Sequence, residues 1–469
     1  MRAIVVGSGP NGLVAAITLL EAGWEVTVLE AASTPGGGLR SEALTTDGVV
    51  HDVCSAIHPL ALASPALRRL PLTDHGLEWI HPDVPLAHPL DGGGAALLQR
   101  SVDDTAAGLG EDHDNYRRLF GPLVDAGLDL SDGLLSPLRI PPAHPLTMAR
   151  FGVVGIRSAE RVAARRLDTT GARGLFAGLS AHSILSLRSP STAGYGLLLG
   201  ALGHTVGWPL ARGGSGRIAA ALVTHLESLG GEIECNQRVT SLAELPRTDA
   251  VLLGVTPRQF IEIAGADLPS RYGRRLSRYR YGPGVFKLDW VLDGPIPWAD
   301  EACLRAATVH VGGSLEEIVA AEEQVQKGRH PERPFVLVAQ PSLFDPTRAP
   351  SGVHVVWAYC HVPNGSSVDM TDAVEAQIER FAPGFRARIT HRHTMDTAAM
   401  ETHDANYIGG DINGGRGDLR QFVTRPSPGV QPWRTPLEGV YLCSSSTPPG
   451  GGVHGMCGWH AARTVLRRS

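Results

Sequence analysis

The chain has 469 residues and a net charge of −5, with 43% hydrophobic and 19% charged residues. That balance excludes wholesale disorder, and the length suffices for two domains with large cores. The acidic net charge gives no basis for a nucleic-acid partner, and no apolar run is long enough to span a membrane.

Residues 2–6 form a short apolar run rich in β-branched side chains and read as a buried strand. Gly7-Ser8-Gly9-Pro10-Asn11-Gly12 follows at once with G-x-G-x-x-G spacing. Residues 13–22 have helical composition and stop at Gly23, and residues 25–29 are a second strand ending at Glu30 and Ala31. Strand, turn, helix, strand and acid in that order make a dinucleotide site. Gly7 permits the tight turn, Gly9 lets the backbone approach a pyrophosphate, and Gly12 lets helix and strand pack closely. The helix N-terminus offers free N–H groups to phosphate. Glu30 can accept hydrogen bonds from both hydroxyls of an adenosine ribose. A second glycine cluster, Gly36-Gly37-Gly38, then leads to Leu39, Arg40 and Ser41.

Residues 48–52 read as a strand entering a loop in which Asp52 is an organising acceptor. Proline and glycine punctuate residues 71–145, with one helix near 112–123. Residues 157–182 read as mostly helical. Residues 195–209 are the most apolar stretch and read as a buried helix, a substrate-cavity wall, or both. A helix over 217–229, a strand over 232–239, a buried parallel strand over 249–254 and a helix over 257–264 follow. Residues 285–292 alternate, placing Lys287 and Asp289 on one face and Phe286, Leu288, Trp290 and Leu292 on the other. Further strands are expected over 308–311, 335–339 and 353–361, and a helix over 372–381. The chain ends with a strand over 439–443, a glycine loop over 444–455 and a helix over 459–468.

The six cysteines (Cys54, Cys235, Cys303, Cys360, Cys443 and Cys457) include no C-x-x-C pair, which argues against a redox disulfide and a zinc cluster. The nucleotide-binding strand starts at residue 2, so no leader segment and a cytoplasmic location are expected. Basic stretches over 157–173 and 271–280 are solvated helix faces or a peripheral contact with lipid headgroups.

The two glycine-rich ends, the unit around Val239 and the order of excursions resemble the phytoene desaturase and carotenoid isomerase family of the amine oxidase superfamily. Gly207-Trp-Pro209, Phe286-Lys-Leu-Asp-Trp290, Gly409-Gly-Asp411 and Pro449-Gly-Gly-Gly-Val-His-Gly455 carry the resemblance most closely. It implies an α/β fold: a Rossmann-like FAD-binding domain from residues 1–70, 205–270 and 405–469. A discontinuous α+β substrate domain, built on a mostly antiparallel sheet, would come from 71–204 and 271–404.

The resemblance also implies FAD as cofactor. The loop 36–40 would run beneath the ribityl-pyrophosphate, Val239 would meet the adenine, and Gly451, Gly452, Val453 and His454 would approach the flavin ring. Ser445 stands where related enzymes place an acid on the ribityl chain. Thr34 stands where many relatives are basic, a loss for which Arg40 could compensate.

The expected reaction removes hydride from a small apolar substrate to the flavin, with oxygen or a quinone as acceptor. A reduced-FAD-dependent double-bond isomerase and a flavin amine oxidase are the alternatives. An amine oxidase would favour aromatic side chains near the flavin, where the closing loop offers Pro448, Pro449 and glycines. A strand lysine reaches N5 through a water in amine oxidases, so Lys287 is a catalytic candidate, or else a surface partner of Asp289. His454 either acts as acid/base or caps the following helix. His204 is a third candidate, with Tyr195 beside it, unless burial merely satisfies their hydrogen bonds. His391 and His393 lack a third ligand, so no metal is expected.

Overall fold

The computed structural model describes residues 1–137, 141–429 and 431–468. Two sheets organise it. The first has five parallel strands, in the order Val440–Leu442, Ala250–Leu253, Arg2–Val6, Glu25–Leu29 and Glu232–Glu234. The strand that opens the chain is therefore central, and the strand that closes it lies two places away. Burial on both sides explains the apolar runs of Arg2–Val6 and Ala250–Leu253 at the centre of the sheet.

The second sheet has seven strands. Ile389–Met395, Gly284–Leu292, His354–Val362, Val336–Ala339 and Ala306–Val311 run antiparallel in that order. Val84–Pro89 adds in parallel to Ala306–Val311, and Ala95–Leu98 closes the edge. These last two strands come from the first excursion, where proline and glycine gave no strand signal. Phe286, Leu288, Trp290 and Leu292 pack with Val374, Ile378 and Phe381 of the helix Thr371–Phe381 in one apolar cluster. The opposite face looks towards the first sheet across a cavity.

Three expected elements are corrected. The strand over 232–239 ends at Glu234, because Asn236 turns the chain with a φ of 59°. The strand over 48–52 shrinks to His51–Asp52, paired with Ser41–Glu42. The helical stretch over 157–182 splits into Ala159–Arg166 and Thr170–Ala181. Between those helices the Asp112 carboxylate accepts the backbone N–H groups of Asp168 and Thr169, which stops one helix before Thr169 caps the next. The apolar stretch is the helix Thr192–Thr205. Among the described residues no helix is long and apolar enough to cross a bilayer.

Candidate functional site: a groove between two helix N-termini

The first helix, Pro10–Leu20, starts at Gly9 with no side-chain cap, so its leading N–H groups remain open to a ligand. A Cβ on Gly12 would lie 1.9 Å from the Gly7 carbonyl oxygen, which leaves only glycine there. Gly37, at a φ of 53°, brings the second glycine loop against the first: its Cβ would lie 3.0 Å from the Gly9 Cα. The closing helix, Met456–Leu466, packs beside the first helix. A Cβ on Gly458 would sit 1.7 Å from the Asn11 carbonyl oxygen. Two helix N-termini from opposite ends of the chain thus stand side by side.

A continuous cavity of about 690 Å³ runs past both. One end lies at Glu30, Ala31 and Val239. The Glu30 carboxylate accepts from the Ser8 N–H at 2.8 Å, the Ser8 hydroxyl at 2.5 Å and the Ala32 N–H at 2.8 Å. The Gln237 N–H donates to the Glu30 carbonyl at 2.7 Å, which holds the segment leading to Val239 over this end. The middle passes Gly9, Pro10, Asn11, Gly12, Gly38 and Arg40. Arg40 is fixed by hydrogen bonds to the carbonyls of Gly37 and His403, with its cation at the cavity wall. The next stretch meets Ser445, Gly452 and Val453. Ser444 and Ser445 both line the cavity, but Ser444 spends its hydroxyl on the Val255 carbonyl, as Ser446 does on that of Gly414.

The cavity then opens under the second sheet, walled by His182, Leu199, Trp208, Thr308, Trp357 and Tyr359. Leu199 makes the apolar helix both core and cavity wall. The loop around Asp404 and Tyr407 also lines the groove and was not singled out in the sequence. Asn406 ties it to the first sheet, donating to the Gly254 carbonyl and accepting from the Thr256 N–H. No local motif marks this loop, because its place depends on contacts about 150 residues distant.

The three residues singled out for chemistry lie around this cavity without lining it. Lys287 is 1% exposed, and its ammonium is paired with the Asp289 carboxylate. The pair is therefore buried, not on the surface. Trp357 covers it, with the ammonium 5.9 Å from its ring centroid, and His51 and His393 flank Asp289. Burial raises the Asp289 pKa, but Lys287 and the two imidazoles outweigh that and hold it well below the usual carboxylate range. The His454 Nδ1 accepts the Met456 N–H at 3.0 Å, so this histidine caps the closing helix. His204 is spent on the Tyr116 hydroxyl and the Arg100 carbonyl. Asp52 does organise its loop, accepting from Ser41, Ser215 and Arg348.

Burial holds His58, His88, His204 and His454 at a pKa of about 4. Between that value and the unfolded value near 6.5 the unfolded chain binds more protons, so stability falls as pH falls. Each histidine contributes a slope of up to about 1.4 kcal/mol per pH unit there. Thermal unfolding should accordingly drop steeply from pH 6.5 to 4.5, and a flat melting temperature over that interval would contradict these buried neutral rings.

Fold and groove are those of an oxidoreductase, similar in sequence to phytoene desaturases and in fold to amine oxidases. Residues 5–70 match the NAD(P)-binding Rossmann-like domain family. Over 99% of its length the chain is 26% identical to mouse pyridine nucleotide-disulfide oxidoreductase domain-containing protein 2, covering 93% of that protein. It is 25% identical to the neurosporene-forming phytoene desaturase of Cereibacter sphaeroides, covering 97% of this chain and 92% of the relative. Among solved structures, putrescine oxidase with bound putrescine superposes with a TM-score of 0.63 at 17% identity, over 100% of this chain and 99% of the other. All six cysteines here are free thiols.

Proposed function

We propose that the protein is an FAD-dependent dehydrogenase or desaturase acting on a largely apolar small molecule. The apposition of the two helix N-termini along one continuous groove carries this reading. A dinucleotide with an aromatic ring at its far end fits a groove with an acid at one end and open amides midway. Glu30 would hold the adenosine ribose, the N–H groups after Gly9 and the Arg40 cation the pyrophosphate, and Ser445 the ribityl chain. Gly452 and Val453 would bring main-chain groups to the ring, with the positive end of the closing helix behind them. When bound, FAD supplies a hydride acceptor. The chain's own residues orient the substrate and exclude water: Leu199, Trp208 and Trp357 wall the chamber with apolar surface.

An amine oxidase is the second reading. Trp357 and Tyr359 stand 5.1 Å apart at 89°, an aromatic pair supplied by a strand rather than by the closing loop. Behind that wall the Lys287 ammonium, paired with Asp289, lies 5.9 Å from the Trp357 ring centroid.

Purified protein should carry the flavin absorption band, and an unsaturated or saturated cyclic or isoprenoid substrate should bleach it under anaerobic conditions. Bleaching by primary amines alone would transfer the assignment to amine oxidation. A folded protein that refuses FAD would end it.

A further inference from the structure

We propose that the substrate carries an oxygen acceptor, a carbonyl or carboxylate, and that Thr308, Trp357 and His182 bind it at the roof of the chamber. The proposal rests on the reading of the groove as a cofactor site and names the substrate class that completes it.

Thr308 Oγ1 and Trp357 Nε1 are buried polar atoms without a partner, on side chains 4% and 8% exposed, and both residues line the cavity. An unmet buried donor is costly, so such groups point to a ligand. The sheet puts them on one rung: Thr308 pairs with Ala339, and Ala339 with Trp357. Their side chains therefore share the face that looks into the chamber.

His182 completes the set. Its Nε2 lies 3.0 Å from the Nε2 of His310, two positions after Thr308 on the same strand and face. Burial pushes the His182 pKa down to about 3, and burial with the neighbouring imidazoles holds His310 well below the usual histidine range. Both rings are neutral, so one proton lies between them. The His310 Nδ1 is buried without a partner. An orphaned lone pair costs less than an orphaned N–H. The favoured arrangement therefore has His310 donating through Nε2, which leaves His182 protonated on Nδ1 as a donor. His310 is a positioning residue for that tautomer.

The packing is built around these rings. On the helix Thr170–Ala181, a Cβ on Gly178 would lie 2.7 Å from the His310 Nδ1, and one on Gly174 2.6 Å from the His88 Nε2. Larger residues would displace the imidazoles. An indole N–H can only donate, a threonine hydroxyl can donate, and His182 supplies a third N–H. Three donors in an apolar chamber select an oxygen acceptor over a hydrocarbon or an amine.

The test uses the FAD-loaded enzyme and four probes of equal length: octan-2-one, octanoate, octylamine and octane. Binding is read as perturbation of the flavin absorption band under anaerobic conditions. Octan-2-one or octanoate should bind at least about tenfold tighter than octylamine or octane. Thr308→Val and Trp357→Phe should each weaken the oxygenated probe by about threefold to tenfold and leave octane unchanged. His310→Phe, which removes the partner of His182, should weaken it similarly, and His310→Gln should restore part of the loss.

Equal binding of all four probes, or variants with wild-type affinity for the ketone, would overturn the proposal. A changed resting flavin spectrum or FAD content in Thr308→Val would also overturn it, by making the cofactor the missing partner. Failure of the wild-type protein to hold FAD would count against the cofactor reading instead. Probe affinity would then be read calorimetrically on the same full-length chain, keeping the two outcomes apart.

Discussion

Replacing Gly458 by valine should yield protein without bound flavin, destabilised by about 3 kcal/mol, near the upper end of what overpacking costs. A side chain at 458 meets backbone rather than a flexible tip. Its Cβ would lie 1.7 Å from the Asn11 carbonyl oxygen, 2.6 Å from the carbonyl carbon and 3.1 Å from the Ala15 nitrogen. The closing helix would have to move off the first one, taking Gly452 and Val453 away from the glycine turn at Gly9. Flavin absorbance per polypeptide and the thermal midpoint measure the two consequences. Full flavin content at an unchanged midpoint would show that this helix contact holds neither the fold nor the cofactor.

Lys287→Met should destabilise the protein by about 3 kcal/mol, because it strands the Asp289 carboxylate in the interior. Lys287 and Asp289 are 1% and 0% exposed, so solvent cannot take over the lost partner. His51 and His393 flank the carboxylate, which places the effect at the low end of the range for broken buried pairs. The double variant Lys287→Met/Asp289→Leu removes both charges and should recover most of the loss in urea unfolding. If Lys287→Met kept its stability but lost substrate-driven flavin bleaching, the ammonium would act in the reaction instead of supporting Trp357. The comparison therefore separates a lysine that holds the chamber wall from one that takes part in catalysis.

Much of the nucleotide half was legible in the chain. Gly7 has a φ of 95° and a Cβ on Gly12 would strike the Gly7 carbonyl oxygen, constraints confined to one turn, and Glu30 follows at the end of the adjoining strand. Such local constraints leave a spacing in the sequence. The helix Pro257–Ala264 was legible for the same reason, with Thr256 capping and Gln259 reaching back in a capping box. Alternation over 285–292 gave the correct faces for Lys287 and Asp289 but not their burial. Alternation reports which residues share a side, not what covers that side.

The chamber was not legible. Thr308, Trp357 and His182 come from two strands and a helix, and no spacing rule joins them. Val84–Pro89 and Ala95–Leu98 were missed because an edge made in the first excursion finds its partner more than two hundred residues later. His454 and His204 drew attention as titratable groups near expected functional segments, yet one caps a helix and the other binds a tyrosine hydroxyl and a carbonyl. By itself the sequence determined a Rossmann-like glycine turn at the start of the chain and a glycine loop at its end. Only the tertiary structure decided that the two helices meet at Asn11 and Gly458, and which buried donors were left without partners. Glycine turns are imposed by steric contacts between near neighbours, whereas an unmet hydrogen bond exists only once distant segments have enclosed it.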